Sequence, residues 1–115
     1  MLAAIDEHKL LWLRAGRTHT FTAVWAVVIG GRVFVRSWND KPTGWYRAFV
    51  EEPRGAIRVG DRVIRARART VTSARLIDAV SDAYAAKYRT PASTKYVRGF
   101  RTPRRCRTTT ELTPV

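Results

Sequence analysis

The sequence predicts an α+β fold with antiparallel strands that can close into a barrel, and three observations lead to this prediction. Two pairs of strand-like runs are each joined by a tight turn, one containing Gly30 and Gly31 and the other Gly60 and Asp61. The clearest amphipathic helix comes after the second pair. Every strand connection that can be placed is short, which favours antiparallel pairing over parallel strands joined by crossover helices.

The first part of the chain predicts a helix followed by a β-hairpin. Residues 5–15 carry a loose apolar stripe, with Asp6 in position to cap a helix and Gly16 just past its end. Residues 20–29 are rich in β-branched and aromatic side chains and predict a strand. Its antiparallel partner is expected over residues 32–38.

A second hairpin follows a polar loop over residues 39–44. We expect a short helix at 45–52, ended by Pro53, and then strands at 55–59 and 62–71. In the last strand, basic side chains alternate with smaller apolar ones, which is typical of a half-exposed sheet. The basic positions are Arg65, Arg67 and Arg69, and the apolar ones are Ile64, Ala66 and Ala68.

The C-terminal third predicts one long amphipathic helix and one strand. Residues 73–89 repeat apolar side chains at spacings of three and four. The opposite face of this helix, which includes Ser81, is expected to be solvated. Residues 108–113 predict a final strand at the edge of the sheet, because Pro114 would blunt such an edge.

Composition and charge limit what the protein can be. The 115 residues predict a single domain spanning 1–115, and the hydrophobic content of 45% is enough for one core. The net charge of +13 attracts polyanions such as nucleic acids, phosphorylated cofactors or anionic surfaces. The N-terminus lacks the basic start and long apolar run of a secretion signal, so we expect a cytoplasmic protein.

Few groups in the sequence suit metal binding or covalent catalysis. His8 and His19 lack the spacing of metal ligands, and Cys106 is the only cysteine, so we expect neither a metal nor a disulfide. The chain has no nucleophile elbow, phosphate loop or dinucleotide fingerprint. The sequence therefore assigns no catalytic residue.

The segment over residues 33–47 combines cations, a hydroxyl group and aromatic rings. Arg36 and Ser37 end a predicted strand, and Lys41 lies in the loop that follows. The remaining members are Trp38, Trp45, Tyr46 and Arg47. Arginine suits phosphate contacts and aromatic faces suit ring stacking, so the segment fits a phosphorylated planar cofactor. It also fits a structural role, with the rings anchoring the core and Arg36 paired with an acid.

Three blocks of sequence occur in a specific order along the chain. They read VRSWN at 35–39 with WYR at 45–47, then ID at 77–78 with AYAAKY at 83–88, and finally YV at 96–97 with RTTTELTP at 107–114. Together they resemble a bacterial family of unknown function. That family is grouped with the FMN-binding split barrels, the superfamily of pyridoxamine-phosphate oxidases and deazaflavin-dependent nitroreductases.

The resemblance implies a six-stranded antiparallel split β-barrel of Greek-key type with flanking helices, assembled as a homodimer that holds a flavin or deazaflavin. The cofactor phosphate would face a basic residue and a hydroxyl group after the first hairpin, which Arg36 and Ser37 match. Lys41 or Arg47 would add a second basic group. The expected cofactor-binding residues are Arg36, Ser37, Trp38, Lys41, Trp45 and Arg47.

Two alternatives to a flavin- or deazaflavin-dependent oxidoreductase remain open at this point. One is a basic module that binds nucleic acid or another polyanion through the arginines of strand 62–71. A second basic cluster, formed by Arg101, Arg104, Arg105 and Arg107, would contribute. The other alternative is a cofactor-free dimeric split barrel that binds a small ligand, or whose cleft is filled by Trp45.

Overall fold

Seven antiparallel strands form one sheet in the computed structural model, which describes residues 2–115. The strands are β1 (Leu11–Ala15), β2 (Thr22–Val24), β3 (Ala26–Ile29), β4 (Arg32–Val35), β5 (Arg54–Val59), β6 (Arg62–Thr70) and β7 (Thr110–Pro114). Their order in the sheet is β2-β1-β5-β6-β7-β4-β3. The two end strands, β2 and β3, are separated in the chain only by Trp25, so the sheet rolls into a nearly closed barrel.

Within residues 2–115, five helices and one 3₁₀ turn surround the barrel. The helices are α1 (Leu2–Glu7), α2 (Trp45–Glu51), α3 (Ala74–Lys87), α4 (Thr94–Gly99) and α5 (Pro103–Cys106), and the turn is Pro91–Ser93. Ser73 caps α3, because its hydroxyl oxygen accepts a hydrogen bond from the backbone N–H of Leu76 at 3.3 Å. No helix within residues 2–115 is long and apolar enough to cross a membrane.

The residues predicted as one N-terminal helix divide into a helix and a strand. α1 ends at Glu7, so Asp6 lies inside the helix and does not cap it. The last five residues of the predicted helix, 11–15, form β1. The helical prediction is wrong there because Leu11 and Leu13 are buried with a period of two. Pairing of β1 with both β2 and β5 satisfies its backbone groups, and this long-range pairing outweighs the local apolar stripe.

The other predicted elements are present with changes. The strand expected over 32–38 ends at Val35, and the 3₁₀ turn, α4 and α5 were not predicted. Both predicted hairpins, α2 and α3 are present, but the strand expected over 20–29 is interrupted at Trp25. The interruption and the unpredicted β1 add two strands to the five predicted from the residues, so the sheet has seven strands where the resemblance implied six. The C-terminal strand is central and not an edge, because Leu112 of β7 pairs with Val33 of β4 and Ala68 of β6. Pro114 is tolerated because it ends the strand.

The strands bury side chains on both sides of the sheet near α3. Val33 and Val35 of β4 point into the barrel, whereas Phe34 packs on the outer side with Val80 and Tyr84 of α3. This alternation follows from the pleat of the strand. It continues past the end of β4, so that the next residue after Val35 points towards α3.

The last turns of α3 form hydrogen bonds with α1 and with the residues where β2 ends and β3 begins. The Tyr84 hydroxyl donates to the carbonyl oxygen of Trp25 at 2.8 Å, and the Lys87 ammonium donates to Ile5 and Ala26 carbonyl oxygens at 2.9 and 2.7 Å. Burial raises the pKa of Tyr84 and lowers the pKa of Lys87. These contacts give Lys87 a structural role and hold Trp25 in place.

Candidate functional site

A cleft opens between β2, the loop after β4, and α4. Its volume is about 700 Å³, which lies within the range of about 300–1,000 Å³ that is usual for small-molecule sites. It is lined by Leu10, Thr22, Ala23, Val24, Trp25, Arg36, Ser37, Trp38, Asn39, Lys41, Thr43, Gly44, Trp45, Tyr96 and Phe100. Segments distant in the chain therefore meet at one concave surface, and the cleft is not filled by Trp45.

Trp38 is a ring of the cleft that is held on several sides. It makes edge contacts with Tyr96 and Phe100, with ring centroids 5.1 and 5.4 Å apart. The guanidinium group of Arg105 lies 3.5 Å from the Trp38 ring centroid, and its Nε donates to the Trp38 carbonyl oxygen at 2.9 Å. A Cβ at Gly99 would collide with the same ring. Packing on several sides fixes the orientation of Trp38.

Two further indole rings complete the aromatic wall. Trp25 stacks on Tyr88 with ring centroids 4.1 Å apart and nearly parallel planes. Trp45 begins α2 and contacts Phe49 edge-on at 6.3 Å, so it packs partly against the barrel core while it lines the cleft. The neighbouring Tyr46 lies outside the cleft and its hydroxyl group donates to the Arg107 carbonyl oxygen at 3.3 Å.

Arg36 is a buried cation at the base of the cleft, with 1% of its surface exposed. Its Nε donates to Thr109 Oγ1 at 2.7 Å, Nη1 donates to Ser81 Oγ at 2.7 Å and to the Phe100 carbonyl oxygen at 3.0 Å, and Nη2 donates to the Ile77 carbonyl oxygen at 2.7 Å. Four of the five guanidinium N–H groups therefore donate to acceptors within the described chain. Burial lowers the pKa of Arg36 below its ordinary value.

The partners of Arg36 correct two sequence-based expectations. Ser81, expected on the solvated face of α3, is 4% exposed and accepts a hydrogen bond from Arg36. The proposed pairing of Arg36 with an acid is also wrong, because no acid of residues 2–115 forms an ion pair with it. The positive charge of Arg36 is therefore not neutralised by a contact within the described chain.

The cleft is cationic as a whole. Lys41 supplies a second positive charge, and among the described residues no aspartate or glutamate lines the cleft. Asp40, the acid of the loop, is held by Arg47 through two hydrogen bonds of 2.9 and 3.0 Å. These contacts raise the pKa of Arg47. The arrangement favours an anionic ligand, because two cations without an acid give the cleft a positive potential.

Ser37 contributes a hydroxyl group whose proton is free to donate. Its backbone N–H donates to Thr108 Oγ1 at 2.9 Å, and its own Oγ accepts from the backbone N–H of Asp40 at 2.9 Å. The left-handed conformation of Asp40, with φ of 46°, turns the loop back over this hydroxyl group. Ser37 is thus fixed at the floor of the cleft.

Five of the six residues predicted for the site lie together in the cleft, and Arg47 does not. The prediction missed the far wall, which consists of Thr22, Trp25, Tyr96 and Phe100. The aromatic residues among them were visible in the sequence, but nothing local showed that Tyr96 and Phe100 pack against Trp38. Cys106 lies on α5, where its thiol donates to the Phe100 carbonyl oxygen at 3.5 Å. Residues 2–115 contain no cluster of three metal-ligating side chains.

Comparison with known protein families confirms the resemblance. A family described as "Uncharacterized protein conserved in bacteria", DUF2255, matches residues 2–112. The chain belongs to the DUF2255 family. A comparison with curated proteins gives no match.

Solved structures share the fold of this DUF2255 chain at low identity. The conserved hypothetical protein Rv2991 from Mycobacterium tuberculosis superimposes with a TM-score of 0.65 and 15% identity, covering 99% of this chain and 76% of the other. A Listeria innocua protein named "Putative Pyridoxamine 5'-phosphate oxidase" gives a TM-score of 0.60 and 14% identity, covering 99% and 88%. The predicted α+β split barrel is thereby confirmed.

Proposed function

We propose that this DUF2255 protein binds a flavin or deazaflavin in the cleft and acts as a redox protein. The observation that carries the proposal is that the cleft combines three indole rings, two cations and no acid among its described lining residues. A flat ring system bearing a phosphate has the complementary chemistry. The name of the Listeria innocua protein, a pyridoxamine 5'-phosphate oxidase, supports the same class of ligand.

Four residues that line the cleft have distinct roles in this proposal. Lys41 and the Ser37 hydroxyl group would contact the phosphate, while the buried Arg36 would contribute its positive charge from the base. Trp38, held from behind by Arg105, would contact the ring system. When bound, the cofactor supplies hydride transfer, and the protein positions it and excludes water.

The rim of the cleft supports assembly as a homodimer. Leu10 and Tyr96 are large apolar side chains that are 41% and 38% exposed, and both line the cleft. Exposed apolar groups that rim a ligand site are typical of surfaces that another molecule covers. We propose that a second copy of the chain covers this rim.

The cofactor proposal is tested by the absorption spectrum of the purified protein and by titration with FMN, a deazaflavin cofactor and riboflavin, which lacks the phosphate. We expect saturable binding of a phosphorylated cofactor. Lys41→Ala should weaken FMN binding by about tenfold or more, because a charge-assisted hydrogen bond contributes about 1.5–3 kcal/mol. Riboflavin binding should be nearly unchanged.

The matched control is Arg75→Ala, which removes one positive charge from the exposed surface of α3. It should leave FMN binding as in the natural chain. A colourless protein that binds none of the three compounds would contradict the proposal and favour the cofactor-free barrel. Equal weakening of FMN and riboflavin binding in Lys41→Ala would show that Lys41 does not contact the phosphate.

A further inference from the structure

A second charged surface lies on the outer side of the barrel, away from the cleft. Side chains directly opposite one another on paired strands share a face of the sheet. Arg14, Ala56 and Arg65 form one such row across β1, β5 and β6, and Arg54 lies opposite Arg67 in the next. We call the surface formed by Arg14, Arg54, Arg58, Arg65 and Arg67 the basic face.

The charges of the basic face are unpaired within the described chain. None of its five arginines forms an ion pair with an acid of residues 2–115. A groove of about 860 Å³ crosses this face, and Glu52 is its single acid among the described lining residues. The groove shares no lining residue with the cleft. The surface therefore presents a positive potential that is independent of the proposed cofactor site.

Two arginines of the basic face are held in place by aromatic rings. The Arg14 guanidinium group lies 4.5 Å from the Phe21 ring centroid, and that of Arg58 lies 4.8 Å from the Trp12 centroid and 5.4 Å from the Phe21 centroid. The Nε atoms of both arginines are buried without a hydrogen-bond partner in residues 2–115. Stacking orders these cations before any ligand arrives, which lowers the entropy cost of binding.

We propose that the basic face binds the sugar–phosphate backbone of a single-stranded nucleic acid. Arg65 and Arg67 are exposed and lie two positions apart on β6, which spaces them by about 6.8 Å along the strand. Such a row of cations can follow the phosphates of an extended strand. A two-stranded ribbon can enter a major groove, but the basic face spreads over three adjacent strands of one sheet, β1, β5 and β6, and is too wide to do so. Binding would therefore be independent of base sequence.

A second copy of this chain is a poor alternative occupant. A twofold interface brings the same patch of both subunits together, so arginines would face arginines. Juxtaposed like charges disfavour such an interface. The composition of the basic face therefore selects an anionic partner.

The experiment measures binding of a fluorescein-labelled oligo(dT) to the full chain by anisotropy over a range of salt concentrations. The double variant Arg65→Ala/Arg67→Ala should bind about tenfold or more weakly at low salt. The slope of log affinity against log salt should become shallower by about 1.4. Each arginine that neutralises a phosphate contributes about 0.7 to this slope, and the variant lacks two such arginines. The exposed positions of both arginines keep these substitutions away from the core.

The control is the double variant Arg75→Ala/Arg89→Ala, which removes the same charge from exposed positions outside the basic face. It should keep the affinity and the salt dependence of the natural chain. Equally weakened binding in the two double variants would overturn the proposal, because net charge alone would then account for binding. Absence of binding at low salt, or tighter binding of the matching duplex, would also overturn it. Near-ultraviolet circular dichroism checks that both variants are folded.

Discussion

At the scale of single residues, Arg36 joins the fold to the candidate site. Its guanidinium group connects the end of β4 to α3, to the end of α4 and to the segment before β7. The family resemblance implied that Arg36, which follows a strand and precedes a serine, faces a cofactor phosphate. The structure adds that most of its donors serve internal acceptors, so its first role is to hold the cleft together.

Replacing Arg36 with alanine should destabilise the protein by about 3 kcal/mol or more. The substitution leaves a cavity and removes the donor from up to four buried acceptors, each of which costs about 1–3 kcal/mol when left unsatisfied. Urea denaturation followed by tryptophan fluorescence measures the change. Arg75→Ala, on the exposed surface of α3, should change stability by less than about 0.5 kcal/mol. Similar stabilities for the two variants would contradict the structural role of Arg36.

The instability expected of Arg36→Ala makes Lys41 the better residue for testing the cofactor proposal. A weaker cofactor affinity in Arg36→Ala would follow from unfolding as well as from the absence of a group that binds the ligand. The Lys41 side chain has no such internal role, because it takes part in none of the hydrogen bonds or ion pairs found for its loop within residues 2–115. It is therefore the residue at which binding and folding are separable.

At the scale of elements, the strands of one side of the barrel are joined by Glu111. This glutamate on β7 accepts two hydrogen bonds of 2.8 Å from Arg32 of β4 and one of 3.1 Å from Arg69 of β6. Hydrogen bonding from Arg32 is the main cause of the lowered pKa of Glu111, which lies below its ordinary value of 4.5. The three strands meet at one carboxylate because β7 is central.

The lowered pKa predicts a pH dependence of stability with a definite sign. Below pH 4.5 the unfolded chain takes up a proton on Glu111 more readily than the folded chain, so stability falls as the pH falls. Glu111→Gln should lower stability near neutral pH by about 1 kcal/mol, since its arginine partners are exposed, and should flatten the decrease on acidification. Glu51→Gln, at an exposed position on α2, should retain the full acid dependence. Parallel acid dependence in the natural chain and in Glu111→Gln would contradict this role.

At the scale of the whole molecule, two cationic surfaces that share no described lining residue occur on one small barrel. The cleft has an apolar rim that includes Leu10, whereas the basic face carries arginines and the exposed side chain of Val63. Chains that associate through the rim would leave the basic face open. The two proposed sites can therefore be occupied at the same time, and FMN should not compete with oligo(dT).

We expect sedimentation velocity to show a homodimer whose interface includes the rim of the cleft. Leu10→Glu should shift the population towards the monomer, because it places a charge among buried apolar groups of the interface. Val63→Glu changes an apolar side chain with 56% exposure on the other surface and should leave the dimer intact. A natural chain that sediments as a monomer at all concentrations would exclude the dimer.

The sequence by itself determined the elements whose signals are local. The paired glycines at 30 and 31 and the turn at 60 and 61 define two hairpins, since such turns need positive φ and leave little choice of partner. The apolar spacing of α3 and the alternation along β6 were equally readable, because each depends on the geometry of one element. The segment after β4 was therefore placed correctly next to a strand end.

Only the tertiary structure decided the features that depend on distant partners. β1 is a strand because β2 and β5 flank it, and β7 is central because β4 and β6 pair with it from either side. The partners of Arg36 lie between 41 and 73 residues away in the chain, and the Tyr96 ring that contacts Trp38 is similarly distant. Local patterns report which face of an element is apolar. They do not report which other element covers that face, and closure of the barrel settles that choice.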